Sequence, residues 1–295
     1  LAYAWMRQEP PVHHLALPWQ AMLALVTTAF CWGWPAVAGI MAISWGGLTR
    51  IGEALSALRS QLVLPKDVEY TADYVLLQIN EPKTRFRAAR HQVAKVDQRQ
   101  LVTVIELAFQ HLKPHQRLWP FSGQTMRARF QKLLDASGLS SLPKNLSRGI
   151  DLGSLRAGGA SWLMMVSEDV ELTRRRGRWL TSEVLEIYVQ EVSSLQFLPN
   201  LPGPTKLLII AGASIFPWIL SIVANFRHAQ IPEIAWPFLI MSEAVEHEQN
   251  GSKIEEDVGG FGHISGRNGC VNHPLHLERK WGRSSSLDML IDNIE

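Results

Sequence analysis

From Leu15 to Thr49 the chain carries no charged side chain, and its apolar positions are not confined to one helical face. A helix apolar all round is either a core helix or a membrane span. Pro35 and the Trp45–Gly47 stretch divide residues 17–58 into two or three helices. The period then changes. "RSQLVL" (59–64), closed by Pro65, reads as a short strand. "DYVLLQIN" (73–80) and "HQVAKV" (91–96) read as two more, joined by a turn at "EPKTR" (81–85). Helical spacing returns at 98–112, with Leu101, Val104, Ile105 and Ala108 in phase. A turn and a helix follow at 117–139, with Gly138 as its stop, and another helix at 154–166. In 173–191 the positions Val184, Leu185, Tyr188, Val192 and Leu195 align as one helical stripe. The predicted fold class is mainly α with a small antiparallel β-sheet (α+β).

A second uncharged run, 207–226, follows a "NLPGP" linker, and from about Glu243 the chain is polar, Gly-rich and aperiodic. The expected organisation is a linker at 1–16, a catalytic-type domain at 17–200, an apolar helical extension at 201–242 and a disordered tail at 243–295. The two uncharged runs raise a two-span membrane protein as the rival reading. Pro217 interrupts the second run, and Lys206 and Arg227 flank both of its ends, so no orientation signal emerges. Helices buried in an all-α core explain the first run equally well.

The net charge of the 295 residues is only +2, which does not mark a nucleic-acid binder. The basic residues are clustered, however, in "KTRFRAARHQVAK" (83–95) and at Arg174–Arg178, and local patches make a phosphate footprint. The two cysteines, Cys31 and Cys270, exclude a disulfide framework and a cysteine zinc site, and fit a reducing compartment. His91, His111 and His115 lack metal-ligand spacing.

Attack of a protein nucleophile on a phosphodiester has fixed needs. Charge grows on the non-bridging oxygens, and arginine forks meet it best. The leaving oxygen needs a proton donor, which a lysine can be. A tyrosine hydroxyl can form the covalent link. Of the four tyrosines, Tyr3 lies in the linker and Tyr70 and Tyr74 near the hairpin, which leaves Tyr188 as the candidate nucleophile; its place in an apolar helical stripe also fits a core tyrosine with its hydroxyl at the rim.

Over residues 50–188 these elements occur in an order and spacing that resemble the tyrosine recombinases, or phage-type integrases. Arg50 and Glu53 stand in "WGGLTRIGEALSALRSQLVL", with the Leu58–Arg59 pair and a strand behind them. Lys83 sits in the turn "INEPKTR". Arg156, preceded by Leu155, opens "RAGGASWL". Trp179 lies nine residues before Tyr188. The resemblance implies DNA strand cleavage and rejoining through a 3′-phosphotyrosyl intermediate. In it Tyr188 attacks, Arg50 and Arg156 hold the phosphate oxygens, Lys83 protonates the 5′ leaving oxygen, and Trp179 packs on or hydrogen-bonds the phosphate. Glu53 supports Arg50. Arg85, Arg174, Arg175 and Arg176 face the DNA backbone, since three consecutive helical arginines fan too widely to share one phosphate. No small-molecule cofactor and no metal is expected. The implied partner is double-stranded DNA, with self-association on it, and no membrane.

One position departs from the family pattern. The family's His-x-x-Arg histidine, which assists proton transfer at the tyrosine, is Gly153 here. Losing a positioned acid–base group costs roughly 10²–10⁴-fold. The expectations are therefore an attenuated enzyme, an enzyme recruiting another group such as Lys144 or Arg148, or an inactive DNA-binding relic of the same fold. The family also carries a separate duplex-clamping N-terminal domain, which sixteen residues cannot form. The chain starts with Leu, and is read as a fragment of a longer product of a retrotransposon-like mobile element, working inside the cell and in the nucleus of a eukaryotic host.

Overall fold

The computed structural model describes residues 14–69, 71–80, 92–141 and 149–245, which lie in one unit ending at Glu246. The first uncharged run folds as α1 (Trp19–Cys31) and α2 (Pro35–Gly46), with Pro35 at the start of α2 where its missing N–H costs nothing. Both helices are core. Met22, Leu25, Phe30, Ile40, Met41, Ile43 and Trp45 are fully buried. Burying each such side chain contributes about 1.5–3 kcal/mol. The all-round apolar pattern thus has a packing explanation.

After α2 the chain turns through Leu48, which has a positive φ of 49°, into the short α3 (Ile51–Ser56). Three strands follow: β1 (Leu62–Val63), β2 (Val75–Ile79) and β3 (Gln92–Val96). They form an antiparallel sheet in the order β1-β2-β3, with Leu62 opposite Leu77 and Leu77 opposite Ala94. The expected strand at 59–64 shrinks to two residues, because 59–61 form a 3₁₀ turn. That turn places Arg59 under the sheet. The helix α4 (Arg99–Phe109) packs on α2, and Gly39 of α2 makes room for the Phe109 ring.

The helix α5 (Gly123–Ala136) starts at Ser122, whose hydroxyl accepts from the Thr125 amide, and ends before Gly138 at φ 72°. The next helix, α6 (Gly153–Ser167), carries the "AGGAS" stretch. A methyl group at Gly158 would lie 1.9 Å from the Leu17 carbonyl oxygen, and one at Gly159 equally close to that of Trp45. The small residues therefore let α6 press its backbone against α2 and the segment before α1.

The stripe through Tyr188 does not form one helix. The segment folds as α7 (Val170–Gly177), α8 (Ser182–Glu186) and α9 (Glu191–Phe197), with Tyr188 in the turn between the last two. Val184, Val192 and Leu195 are exposed, and only Leu185 of the stripe is fully buried. Gly177 ends α7, and Thr181 starts α8 afresh in extended backbone.

The second uncharged run folds as α10 (Gly203–Ser214) and α11 (Phe216–His228), which pack on α1. The Thr27 hydroxyl donates to the Gly212 carbonyl at 3.0 Å, and Arg227 Nε donates to Leu107 O at 2.8 Å. Among the described residues no single helix is long and apolar enough to cross a membrane. The bent pair α10 and α11, at 48°, meets the length and composition together. Its outer face exposes Leu207, Leu208 and Ile210, and beyond it lie the exposed Ile234, Phe238 and Met241. Helical backbone continues to residue 245, three residues into the expected tail. The rest of that tail, and residues 1–13 of the expected linker, lie outside the described residues.

Candidate active site

Arg50 is the residue before α3, and its local chemistry is a cap. Its backbone amide donates to Glu53 Oε2 at 2.9 Å, and its Nη1 donates to Glu53 Oε1 at 2.9 Å. The Arg-x-x-Glu spacing thus closes on itself at a helix start. The Glu53 side chain, 6% exposed, also receives Arg178 Nη2, at 2.8 Å. One carboxylate therefore ties the α3 arginine to the end of α7.

Arg178 follows Gly177 in left-handed backbone, φ 57°. That twist swings it off the α7 surface, and it reaches the Gly47 and Leu48 carbonyls at 3.4 Å as well as Glu53. Gly177 has a second role. A methyl group there would lie 1.7 Å from the Trp179 ring, which folds back over it and is buried.

Arg156, on the second turn of α6, lies behind these groups with 4% of its surface exposed. Its Nη2 donates to the Gly177 carbonyl at 2.5 Å. Its guanidinium carbon stands 4.8 Å from the Trp179 ring centre and 5.1 Å from that of Tyr188, and the two rings are 4.9 Å apart. Tyr188 is half-buried, and its carbonyl accepts from the Ser161 hydroxyl of α6 at 3.2 Å. So α6 supplies both the arginine and the anchor that places the tyrosine beside it.

The electrostatics are unbalanced. Three guanidiniums, of Arg50, Arg156 and Arg178, share the single carboxylate of Glu53. Burial first, then the neighbouring charges of Arg50 and Arg178, push Arg156 down to about 10. Burial likewise lowers Arg178, against the pull of Glu53. Arg156 Nε and Nη1, Arg178 Nε and Trp179 Nε1 are buried N–H groups without a hydrogen-bond partner among the described residues. Each such donor costs about 1–3 kcal/mol. All four are donors, and what they lack is an acceptor with several lone pairs and negative charge.

The other anticipated residues fall as follows. Lys83 and Arg85, which join β2 to β3 in the sequence, lie outside the described residues, as do Lys144 and Arg148. Arg174 donates to Glu171 and to the Trp179 and Leu180 carbonyls, and Arg176 pairs with Asp97 and donates to Lys95 O. Both therefore fasten α7 to its surroundings, while Arg175 is exposed. Tyr74 is occupied elsewhere, under Lys95 Nζ at 4.5 Å. Burial pushes the Cys31 thiol up to about 11, which keeps it protonated and unreactive. No cluster of three or more His, Cys, Asp or Glu suited to a metal occurs among the described residues. A cavity of about 750 Å³ lies elsewhere, lined by Trp32, Trp34, Phe121 and Arg129, and shares no residue with this cluster.

Arg178 is the member of this cluster that sequence reasoning missed. Its signal was the glycine before it. A helix that stops at Gly177 takes the next arginine out of the fan of Arg174–Arg176 and lets it point independently.

No family model matches the chain, and no curated protein does. Among solved structures, the crystal structure of XerA recombinase is similar, with 12% identity and a TM-score of 0.45 over 66% of this chain. The match spans 66% of that chain, just under two thirds of its length.

Proposed function

We propose that this chain cleaves and rejoins DNA strands, with Tyr188 as the nucleophile and the Arg50–Arg156–Arg178 cluster as the phosphate site. One observation carries the reading. Four buried donors lack acceptors among the described residues, two of them on the Arg156 guanidinium that lies over the Tyr188 ring and two on Arg178 and Trp179 beside it, in a cluster with excess positive charge. A phosphodiester supplies both the charge and the lone pairs. In the proposed step the Tyr188 oxygen bonds to phosphorus, the bond from phosphorus to the 5′ oxygen breaks, and the tyrosine proton leaves to a base. Lys83 returns a proton to the 5′ oxygen. The arginines hold the non-bridging oxygens, where charge grows most in the transition state. Glu53 keeps Arg50 and Arg178 in place and, by cancelling one charge, lowers the repulsion among the three cations. A role in a mobile element, with self-association on the duplex, completes the reading.

The test is a duplex nicked just downstream of the scissile phosphate, so that the short fragment carrying the freed 5′-hydroxyl diffuses away and traps the intermediate. A covalent protein–DNA adduct that disappears in Tyr188→Phe is expected. DNA binding with no adduct under any condition contradicts cleavage and supports the second reading, an inactive relic, which Gly153 motivates.

A further inference from the structure

Gly153 begins α6, and the space that a side chain would fill there is taken. A methyl group at Gly153 would lie 2.8 Å from Cγ, Cδ2 and Cε1 of the His14 ring. An imidazole thus stands on the glycine, carried by a segment far away in sequence. We propose that His14 is the acid–base imidazole of this site, delivered through space to the position that Gly153 leaves open. The inference rests on the strand-cleavage reading above and adds to it the group that takes the tyrosine proton.

Three sets of contacts hold the ring there. Leu17 N donates to the Ser154 carbonyl at 3.1 Å, which lays the segment across the first turn of α6. Gln190, two residues after the tyrosine, donates from Nε2 to the His14 carbonyl at 2.6 Å and accepts from Ala16 N at 3.2 Å. The Gln190 amide in turn donates to the Ser161 hydroxyl at 2.8 Å, the same hydroxyl that holds the Tyr188 carbonyl. The histidine backbone and the tyrosine backbone are therefore anchored to one another through two side chains. A surface tail resting on a helix by chance does not require this stitching.

The ring's own environment suits the task. His14 Nδ1 lies 2.8 Å from Asp151 Oδ1, an ion-pair contact that lacks hydrogen-bond angles. The same carboxylate oxygen accepts from the Gly153 amide at 2.8 Å, so its position is fixed by the helix start. The negative charge beside Nδ1 favours a proton on that nitrogen, which leaves the Nε2 lone pair as the acceptor. In the attack, the Tyr188 oxygen bonds to phosphorus as its proton moves to Nε2, and the bond to the 5′ oxygen breaks. In the rejoining step the proton returns from Nε2 to the tyrosine oxygen. A histidine at position 153 is then unnecessary, and its Cβ has no room while His14 is in place.

The experiment compares single-turnover adduct formation on the nicked duplex, with the full chain throughout. His14→Ala is expected to lower the rate by roughly 10²–10⁴-fold, the range for a positioned acid–base group. Added imidazole, and separately the compensating change Gly153→His in the His14→Ala background, are each expected to restore at least about tenfold of that loss. A merely structural role for His14 responds to neither. Thermal melting of His14→Ala and His14→Asn checks that both fold. An adduct rate unchanged in His14→Ala, or a loss that neither treatment recovers in a folded variant, overturns the assignment of His14 and leaves Tyr188 as nucleophile. Wild-type protein that forms no Tyr188-dependent adduct overturns both.

Discussion

Arg59 and Arg156 are both buried, 8% and 4% exposed, yet their surroundings differ in kind. Arg59 has a carboxylate of its own. Its Nη2 donates to Asp67 Oδ1 and Oδ2 at 2.8 and 2.7 Å, and its Nη1 donates to the Leu62 carbonyl at 2.6 Å. Only its Nε is left over. Arg156 has one backbone carbonyl, two aromatic rings and two neighbouring cations. A cation–π contact recovers about 0.5–2 kcal/mol, less than burying a guanidinium without a counter-charge costs. The first arginine is finished by the fold. On the proposed reading the second is completed by an anion from outside, and that difference would separate a structural charge from a binding one.

Substitution should divide them sharply. Arg156→Met, which keeps the volume and removes the fork, is expected to lower single-turnover adduct formation by about 10³-fold, as loss of preorganised donors to a developing oxyanion does. Arg59→Met should leave the rate per folded molecule within about threefold. Equal rates for the two variants would erase the distinction. Stability should move the other way. Arg59→Met strands Asp67 and is expected to cost about 3 kcal/mol in urea unfolding, the low end for breaking a buried pair, because Asp67 keeps some contact with water. Arg156→Met should change stability by less than about 1 kcal/mol, or raise it, since it removes an unpaired buried charge.

Anions should sharpen the comparison further. Inorganic phosphate at 100 times its dissociation constant stabilises a protein by about 2.7 kcal/mol if it binds only the folded state. Thermal melting should show a phosphate-dependent rise in wild type and in Arg59→Met, and none in Arg156→Met. The smallest effect is alkaline. Burial holds Arg156 near 10 in the folded chain, below the ordinary arginine value of the unfolded chain. Below pH about 10 both states carry the proton, and the burial cost is present in full. As pH rises above about 10 the folded state releases the proton first, so this group's contribution to stability increases. Arg156→Met should lack that gain when its stability is followed alongside wild type over the same range.

Much of this was legible in the sequence, for reasons that trace to particular residues. The uncharged run at 15–49 could only be a core or a span, and the glycines of α6 announced close backbone packing. Arg50 with Glu53 was readable because the spacing is local. Tyr188 as the proposed nucleophile came from elimination among four tyrosines. Its helical stripe was not readable, because periodicity cannot register where Gly177 and the extended backbone at Thr181 restart the chain. Arg178 was hidden inside a basic run whose members look alike until one of them adopts a positive φ. His14 was hidden by distance, since no spacing rule connects a histidine near the chain start to a glycine at position 153.

The most direct measurement is the identity of the amino acid that carries DNA. The full chain is reacted with the nicked duplex, digested with protease and nuclease, and the nucleotide-bearing peptide is sequenced by mass spectrometry. A nucleotide attached through phosphorus to Tyr188 is the predicted result. A nucleotide on any other residue, or no modified peptide from a chain that binds the duplex, contradicts a phosphate site built around Arg156.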